Sequence, residues 1–171
     1  NFKREYAHFK SLSLLLRDFD MSKFKNIKTD NNISILRYKG LKIVRKKVKS
    51  PHEPFIGLNC VNKLCELSSN FMWSYTFDGE YMYSEWIDGI QFQEWLLNRF
   101  NFRDYILILV QICLSLHISQ ETYDFCHFDL SPWNIIIKEY KEPRTLSFYL
   151  RGDTIKITTK FVPIIIDYEK T

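Results

Sequence analysis

One stretch of the chain decides the fold: His127-Phe128-Asp129-Leu130-Ser131-Pro132-Trp133-Asn134, followed directly by Ile135-Ile136-Ile137. A second aliphatic run, residues 162–166, ends in Asp167. Both runs have the length and composition of short strands that are buried on both faces. If the two strands pair antiparallel, the start of one lies beside the end of the other. The sequence therefore predicts that Asn134 and Asp167 meet at one rim of a small sheet, with Asp129 on the loop just before it.

The polar side chains at this rim are of the types that metal-dependent phosphoryl transfer requires. Carboxylate and amide oxygens are ligands that Mg²⁺ prefers, so Asn134 and Asp167 are candidate metal ligands. Phosphoryl transfer also requires a carboxylate that orients the attacking hydroxyl, and Asp129 is the candidate. Each residue alone is better explained as a loop residue or a turn cap, but the combined pattern favours a functional site.

Hydrophobic periodicity and turn residues divide the chain into an α+β arrangement of two lobes. The predicted helices cover residues 2–19, 55–67, 91–100 and 102–119, and the predicted strands cover residues 24–28, 33–38, 41–48, 71–77 and 81–86. Asn101 is the expected N-cap of the last helix, with Asp104 three residues on. Because that helix is apolar almost all round between residues 106 and 116, we expect it to be buried on most sides.

Composition and charge limit the class of protein. The 171 residues are 46% apolar, so a hydrophobic core can form. The net charge of +4 is a mild excess, which is better explained by a solvated surface than by a nucleic-acid groove. The most apolar run, residues 106–116, is too short to span a bilayer, so no membrane association is expected. The four cysteines form no C-x-x-C pair and no secretory leader begins the sequence, which indicates a soluble, intracellular protein.

The string H-x-D-L-x-x-x-N, followed by a strand and then by a second strand ending in Asp, resembles the catalytic region of the protein-kinase superfamily. In detail it resembles serine/threonine kinases of nucleocytoplasmic large DNA viruses, on residues 52–58, 62–64 and 70–71. The resemblance covers about residues 33–167. It implies a protein-kinase-like fold, with a small antiparallel-sheet N-lobe that carries one helix and a mainly helical, incomplete C-lobe.

The same resemblance implies a division of the chain into segments. Residues 1–22 are an N-terminal helical extension, residues 23–86 the N-lobe, and residues 87–171 the first half of the C-lobe. An inserted hairpin occupies about residues 139–160, with Arg151-Gly152-Asp153 at its tip. Since the chain begins with Asn1 and stops soon after Asp167, we expect it to be a piece of a longer polypeptide.

The resemblance also implies roles for individual residues. Asp129 would be the catalytic aspartate and His127 the histidine that supports its loop, while Asn134 and Asp167 would bind Mg²⁺. ATP would be bound by the following residues: Lys46 at its phosphates, Glu53 as the ion-pair partner of that lysine, and the main chain of Glu85 and Ile87 at its adenine. Further implications are a protein substrate and a location, for a viral protein, in the host cytoplasm or the virion.

Two of these assignments have competing explanations. Lys46 is equally well explained as a solvated charge in a basic strand. Pro54 disfavours helical geometry at Glu53, so we expect Glu53 to precede the helix.

The sequence departs from the kinase pattern in several places. No G-x-G-x-x-G lies between the first two strands, Phe128 replaces an arginine, and Ser131 replaces a lysine. The D-F-G motif becomes Asp167-Tyr168-Glu169. Three functions therefore remain open: an Mg-ATP-dependent serine/threonine protein kinase, a pseudokinase that acts as a structural or protein-binding module, and a small-molecule phosphotransferase.

Overall fold

The computed structural model describes Phe2, Arg4 and residues 6–171. Its helices are α1 (Tyr6–Arg17), α2 (His52–Ile56), a π-helical turn (Gly57–Val61), α3 (Asn62–Leu67), α4 (Phe92–Asn98) and α5 (Phe102–Tyr123). Its strands are β1 (Lys25–Asp30), β2 (Ile33–Tyr38), β3 (Leu41–Lys47), β4 (Ser74–Phe77), β5 (Tyr81–Glu85), β6 (Ile90–Gln91), β7 (Ile135–Leu150) and β8 (Asp153–Ile165). Short 3₁₀ turns cover Met21–Lys23 and Pro132–Asn134. The predicted α+β class is confirmed.

The first sheet has the order β1-β2-β3-β5-β4 and is antiparallel throughout. Its strands lie close to the predicted bounds because the turn residues between them set the register. Asn31 and Lys39 adopt the left-handed φ values of 49° and 44° that tight turns use. This five-stranded sheet, with a helix between β3 and β4, is consistent with the small lobe of a kinase-like fold.

The helix between β3 and β4 begins earlier than predicted. It starts at His52, and Glu53 lies within its first turn, so the expectation that Glu53 precedes the helix is wrong. Pro54 is the third helical residue, where its missing N–H falls among the first four donors that a helix leaves unpaired in any case. The local restriction before proline is therefore overridden, and Glu53 points inward at 4% exposure.

The second half of the chain contains a smaller sheet with the order β6-β7-β8. It is not mainly helical as predicted, because its strands cover about as many residues as α4 and α5 together. The predicted hairpin is a direct extension of β7 and β8, offset by a register shift between Glu139 and Arg144. Arg151 and Gly152 form its tip, both with positive φ.

Helix α5 is longer and more exposed than predicted. Asn101 caps it as expected, with its side chain accepting from Asp104 N at 3.2 Å. One face packs against β7 and β8, whereas Phe102, Ile106 and Val110 on another face are 70%, 40% and 38% exposed. By length and composition alone, the helix would also be long and apolar enough to cross a membrane, a test that the core helix of a soluble protein passes as well.

Phe2, Arg4 and Tyr6 contact elements in both halves of the molecule. Phe2 lies outside helix α1, contrary to prediction, and its N–H donates to Thr145 O on the hairpin at 2.8 Å. Arg4 reaches Glu85 at the end of β5, and Tyr6 donates to Ser68 O at 3.1 Å.

A single apolar cluster joins the two halves of the chain. It extends from Leu36 and Ile43 in the first sheet to Phe125, Ile165 and Tyr168 in the second half. The main chain adds to this joint, because Met72 N donates to Ile165 O at 3.1 Å and Ile165 N donates to Asn70 O at 2.8 Å. The end of β8 is therefore held in a fixed position relative to the first sheet.

Candidate functional site

The predicted pairing of the two aliphatic strands is confirmed. Ile135 lies opposite Ile165 and Ile136 opposite Ile164, so β7 starts where β8 ends. Beyond this register, Ile166 N donates to Asn134 O at 3.0 Å. Asn134 and Asp167 consequently lie at the same rim of the sheet.

The loop before β7 is held by its own polar groups. His127 is 3% exposed, and its Nε2 donates to Ile166 O at 2.9 Å, which ties the loop to the chain just before Asp167. Asn134 Nδ2 donates to Asp129 O at 2.9 Å. That bond uses the amide nitrogen of Asn134, so its amide oxygen is the atom that a metal ion would meet.

Backbone strain is present on both sides of the rim. Phe128 has a φ of 55°, and Asp129 N donates to His127 O at 2.8 Å across it. Asp167 has a φ of 65°. Phenylalanine rarely adopts this left-handed region and aspartate adopts it more readily, so the strain is greater at Phe128 than at Asp167. Strain of this kind is often concentrated at functional sites.

Lys46 connects the first sheet to this rim. Its Nζ donates to Glu53 Oε1 at 2.7 Å and to Asp167 Oδ1 at 2.8 Å. The explanation of Lys46 as a solvated strand charge is wrong, because only 21% of its side chain is exposed and both partners are carboxylates. The structure thus brings together three predicted site residues from β3, α2 and the end of β8.

Burial and charge act in opposite directions on this group. Burial disfavours the charged ammonium, but the hydrogen bonds to Asp167 and Glu53 outweigh it and raise the pKa of Lys46. Burial also raises the pKa of Glu53, and the hydrogen bond from Lys46 limits that rise. Lys46 is therefore charged at neutral pH, where Glu53 depends on it for a counter-charge.

Two residues that the sequence did not single out, Glu169 and Lys170, complete the group. Glu169 Oε2 lies 3.6 Å from Lys46 Nζ, and Glu169 Oε1 lies 3.9 Å from Lys49 Nζ. Lys170 Nζ lies 2.9 Å from Asp129 Oδ2. Only the turn of the chain at Asp167 brings these side chains back to the rim, and the sequence carries no signal for that turn.

Tyr168 anchors this turn. It is fully buried, its hydroxyl donates to Ile165 O at 2.7 Å, and the same hydroxyl accepts from Met72 N at 3.0 Å. Burial raises the pKa of Tyr168 well above its ordinary value, so the phenol stays neutral and can donate. With Tyr168 fixed beneath the rim, Glu169 and Lys170 project from a defined position.

The oxygen donors at the rim suit a hard divalent cation. One carboxylate oxygen from each of Glu53, Asp167 and Glu169 lies within 4.8 Å of the others. The side chains of Asp167 and Glu169 are 35% and 38% exposed, so an ion can reach them from solvent. The same three carboxylates pair with Lys46 Nζ, at 2.7 Å for Glu53, 2.8 Å for Asp167 and 3.6 Å for Glu169. Carboxylate oxygens are also ligands that Mg²⁺ prefers.

The predicted adenine site, the main chain of Glu85 and Ile87, lies at the end of β5, and the side chains of both residues are engaged elsewhere. Glu85 N donates to Trp73 O at 3.0 Å, and the Glu85 carboxylate accepts from Trp73 N and from Arg4. Ile87 is buried in the apolar cluster under the second sheet. Adenine binding by the main chain of Glu85 and Ile87 stays a prediction.

Proteins of invertebrate iridescent viruses are similar in sequence to this chain. Uncharacterized protein 179R of Invertebrate iridescent virus 6 is 32% identical over an alignment of 178 positions that covers 90% of this chain. Uncharacterized protein 035R of Invertebrate iridescent virus 3 is 27% identical over 161 residues, which cover 74%. Probable kinase 098L of the same virus is 31% identical over 86 residues, or half of this chain. No protein-family model matches the chain.

The chain spans only a small part of these relatives. It aligns with 15% of the length of 179R and of 035R, and with 16% of 098L. The predicted resemblance to proteins of large DNA viruses is confirmed in that these relatives are iridovirus proteins. A relation to kinases rests on the partial match to 098L.

Proposed function

We propose that this chain is the nucleotide-binding part of a protein-kinase-like phosphotransferase, which moves the γ-phosphate of ATP to a serine or threonine hydroxyl of a protein. The observation that carries the proposal is the placement of Lys46 Nζ between Glu53 and Asp167, at 2.7 and 2.8 Å. Asp167 is 121 positions from Lys46 in sequence, and it lies at the rim that also carries Asn134. The partial match to a relative named as a kinase supports the same conclusion.

Each side chain at the rim has a chemical task in this proposal. Lys46 would bind oxygens of the ATP phosphates, and Glu53 would keep its ammonium oriented. Asp167 and Asn134 would hold Mg²⁺, which when bound neutralises charge on the phosphates. Asp129 would orient the attacking hydroxyl and accept its proton. His127 and the Asn134–Asp129 hydrogen bond would hold the loop in place.

A pseudokinase is the second candidate, and the contacts within the rim favour it. Lys46 is paired with Asp167, the carboxylate that would bind the metal ion. Lys170 is paired with Asp129, the carboxylate that would accept the proton of the hydroxyl. The turn between β1 and β2 contains Asn31 and Asn32 in place of glycines that allow close approach to phosphates. In a pseudokinase these ion pairs would be structural, and the rim would bind no nucleotide.

We also propose a place of action. Because the relatives are viral proteins, we infer that the protein acts in the host cytoplasm or in the virion.

The first experiment is the shift in melting temperature when Mg-ATP is added to the longest natural form of this chain. We expect a Mg²⁺-dependent rise that Asp167→Asn abolishes, since ligand binding to the folded state stabilises it. Phosphate transfer to protein, lost in Asp129→Asn, would then establish the activity. A well-folded protein without any shift supports the pseudokinase, and transfer to hydroxylated metabolites but not to protein supports a small-molecule phosphotransferase.

A further inference from the structure

We propose that Lys170 is a further catalytic residue, which binds the γ-phosphate of ATP beside the base Asp129. The inference rests on the proposed function. The loop from Asp129 to Asn134 contains neither lysine nor arginine. In this proposal the positive charge beside Asp129 comes instead from Lys170, in the segment after Asp167.

The position of the ammonium carries the inference. Lys170 Nζ lies 2.9 Å from Asp129 Oδ2, on the carboxylate that would receive the proton. A base must approach the attacking oxygen to about 3 Å, and that oxygen must approach phosphorus to about 3–3.5 Å. A cation bonded to the base is therefore within reach of the oxygens on the transferred phosphoryl group.

The exposure of the Lys170–Asp129 pair agrees with a ligand-binding role. The side chain of Lys170 is 64% exposed and that of Asp129 is 36% exposed, so the pair faces solvent. A surface pair of this kind contributes little to stability, about 0–1 kcal/mol. The backbone that carries Lys170 is nevertheless fixed, because Tyr168 two residues earlier is buried and hydrogen-bonded.

The reaction gives this cation a definite task. The hydroxyl oxygen forms a bond to the γ-phosphorus, the bond from that phosphorus to the β–γ bridging oxygen breaks, and ADP leaves with the electron pair. The hydroxyl proton passes to the Asp129 carboxylate. Lys170 stays protonated throughout and stabilises the negative charge on the γ-phosphoryl oxygens, as a positively charged donor placed beside developing charge does.

A comparison of the affinity for Mg-ATP with that for Mg-ADP tests the inference, because the two nucleotides differ only in the γ-phosphate. The dissociation constants of Mg-ATP and Mg-ADP are measured for the natural protein and for its Lys170→Met, Lys170→Arg and Lys63→Met variants. Lys63 is an exposed lysine on α3 and serves as the matched control. We expect Lys170→Met to weaken Mg-ATP about tenfold, the size of a hydrogen bond to a charged group, and to leave Mg-ADP unchanged. Lys170→Arg retains the preference for ATP, and Lys63→Met changes neither constant.

The possible outcomes separate this inference from the proposed function. If the natural protein binds neither nucleotide, the proposed function fails and the role of Lys170 fails with it. If both nucleotides bind and Lys170→Met keeps the preference for ATP, the role of Lys170 alone is overturned. A rise in phosphate transfer in Lys170→Met would also overturn it, since Lys170 would then be a block on Asp129.

Discussion

Lys46 on β3 forms ion pairs with Glu53, on the helix after β3, and with Asp167, just after the end of β8. Its neighbour Lys47 has the same side chain but pairs with Glu80 at the surface, where both side chains are more than half exposed. The difference lies in the partners of Lys46, because the Glu53 side chain is only 5% exposed. A buried carboxylate without a cation is far more costly than an exposed one.

Lys46→Met should lower the free energy of unfolding by about 3 kcal/mol, because it leaves Glu53 buried without a counter-charge. It should also abolish stabilisation by Mg-ATP. Both are measured by chemical denaturation with and without the nucleotide. Lys47→Met is the control, and we expect it to stay within about 0.5 kcal/mol of the natural protein. Equal stability of the two variants would contradict a structural role for the Lys46–Glu53 pair.

The contribution of Lys46 to the free energy of unfolding changes with pH in a direction that the pKa shift determines. The hydrogen bonds that Lys46 donates to Asp167 and Glu53 outweigh the effect of burial and raise the pKa of Lys46. A group with a raised pKa in the folded state stabilises fully below its ordinary value, here 10.5, and loses that effect as pH rises through the raised value. The stabilisation by Lys46 is therefore present at neutral pH.

Among the structural elements, the helix that carries Glu53 depends on a close approach at Gly57. This residue begins the π-helical turn, and a Cβ built there would lie 2.7 Å from both Met82 Cε and Ser74 Oγ. The helix thus lies so close to β4 and β5 that a Cβ at position 57 would require the Met82 or Ser74 side chain, or the helix, to shift. Glu53 lies one turn before this contact, so the packing distance also sets the reach to Lys46.

Gly57→Ala should push the helix away from the sheet and lower the free energy of unfolding by about 1–3 kcal/mol, the usual range for overpacking. It should also reduce the melting-temperature shift on adding Mg-ATP, because Glu53 moves with the helix. Lys63→Ala, at an exposed position of α3, is the control and should change neither quantity. A stable Gly57→Ala protein with an unchanged shift would show that Met82 and the helix adjust freely.

The helices and strands show which sequence patterns are sufficient to predict an element and which are not. The strands of the first sheet were predictable because turn residues such as Lys39-Gly40 act over a few positions. The start of the helix at His52 was not, since packing of Glu53 against Lys46 outweighs the local effect of Pro54. The pairing of β7 with β8 followed from two aliphatic runs, whereas the positions of Glu169 and Lys170 depend on a turn at Asp167 that no local pattern indicates.

For the molecule as a whole, the N-terminal segment is the part that bridges distant elements. Phe2 reaches the hairpin at Thr145, Arg4 reaches Glu85 at the end of β5, and Tyr6 reaches Ser68 after α3. The Arg4 and Glu85 side chains are only 4% and 7% exposed, so this ion pair is buried. Glu85 also belongs to the predicted adenine site, which makes the segment a neighbour of that site.

Arg4→Met should lower the free energy of unfolding by about 3 kcal/mol, since it leaves the Glu85 carboxylate buried with Trp73 N as its remaining partner. Denaturant unfolding measures the change. Arg17→Met, at an exposed position of α1, should have little effect. Adding Glu85→Gln to Arg4→Met should recover part of the loss, and a strictly additive double variant would mean that the two residues are not coupled.

The same N-terminal contacts determine the order in which the chain can fold during synthesis. Phe2, Arg4 and Tyr6 leave the ribosome before any of their partners has been made. The partner of Phe2, Thr145, lies on the β7–β8 hairpin. The β7–β8 hairpin closes through neighbours in sequence, whereas the contact of Phe2 with Thr145 closes the longest loop among these contacts and comes late. Until then the aromatic side chain of Phe2 stays in water, where an unfinished chain is prone to aggregate. We expect the contact of Phe2 with Thr145 to be among the last contacts of the described residues to form.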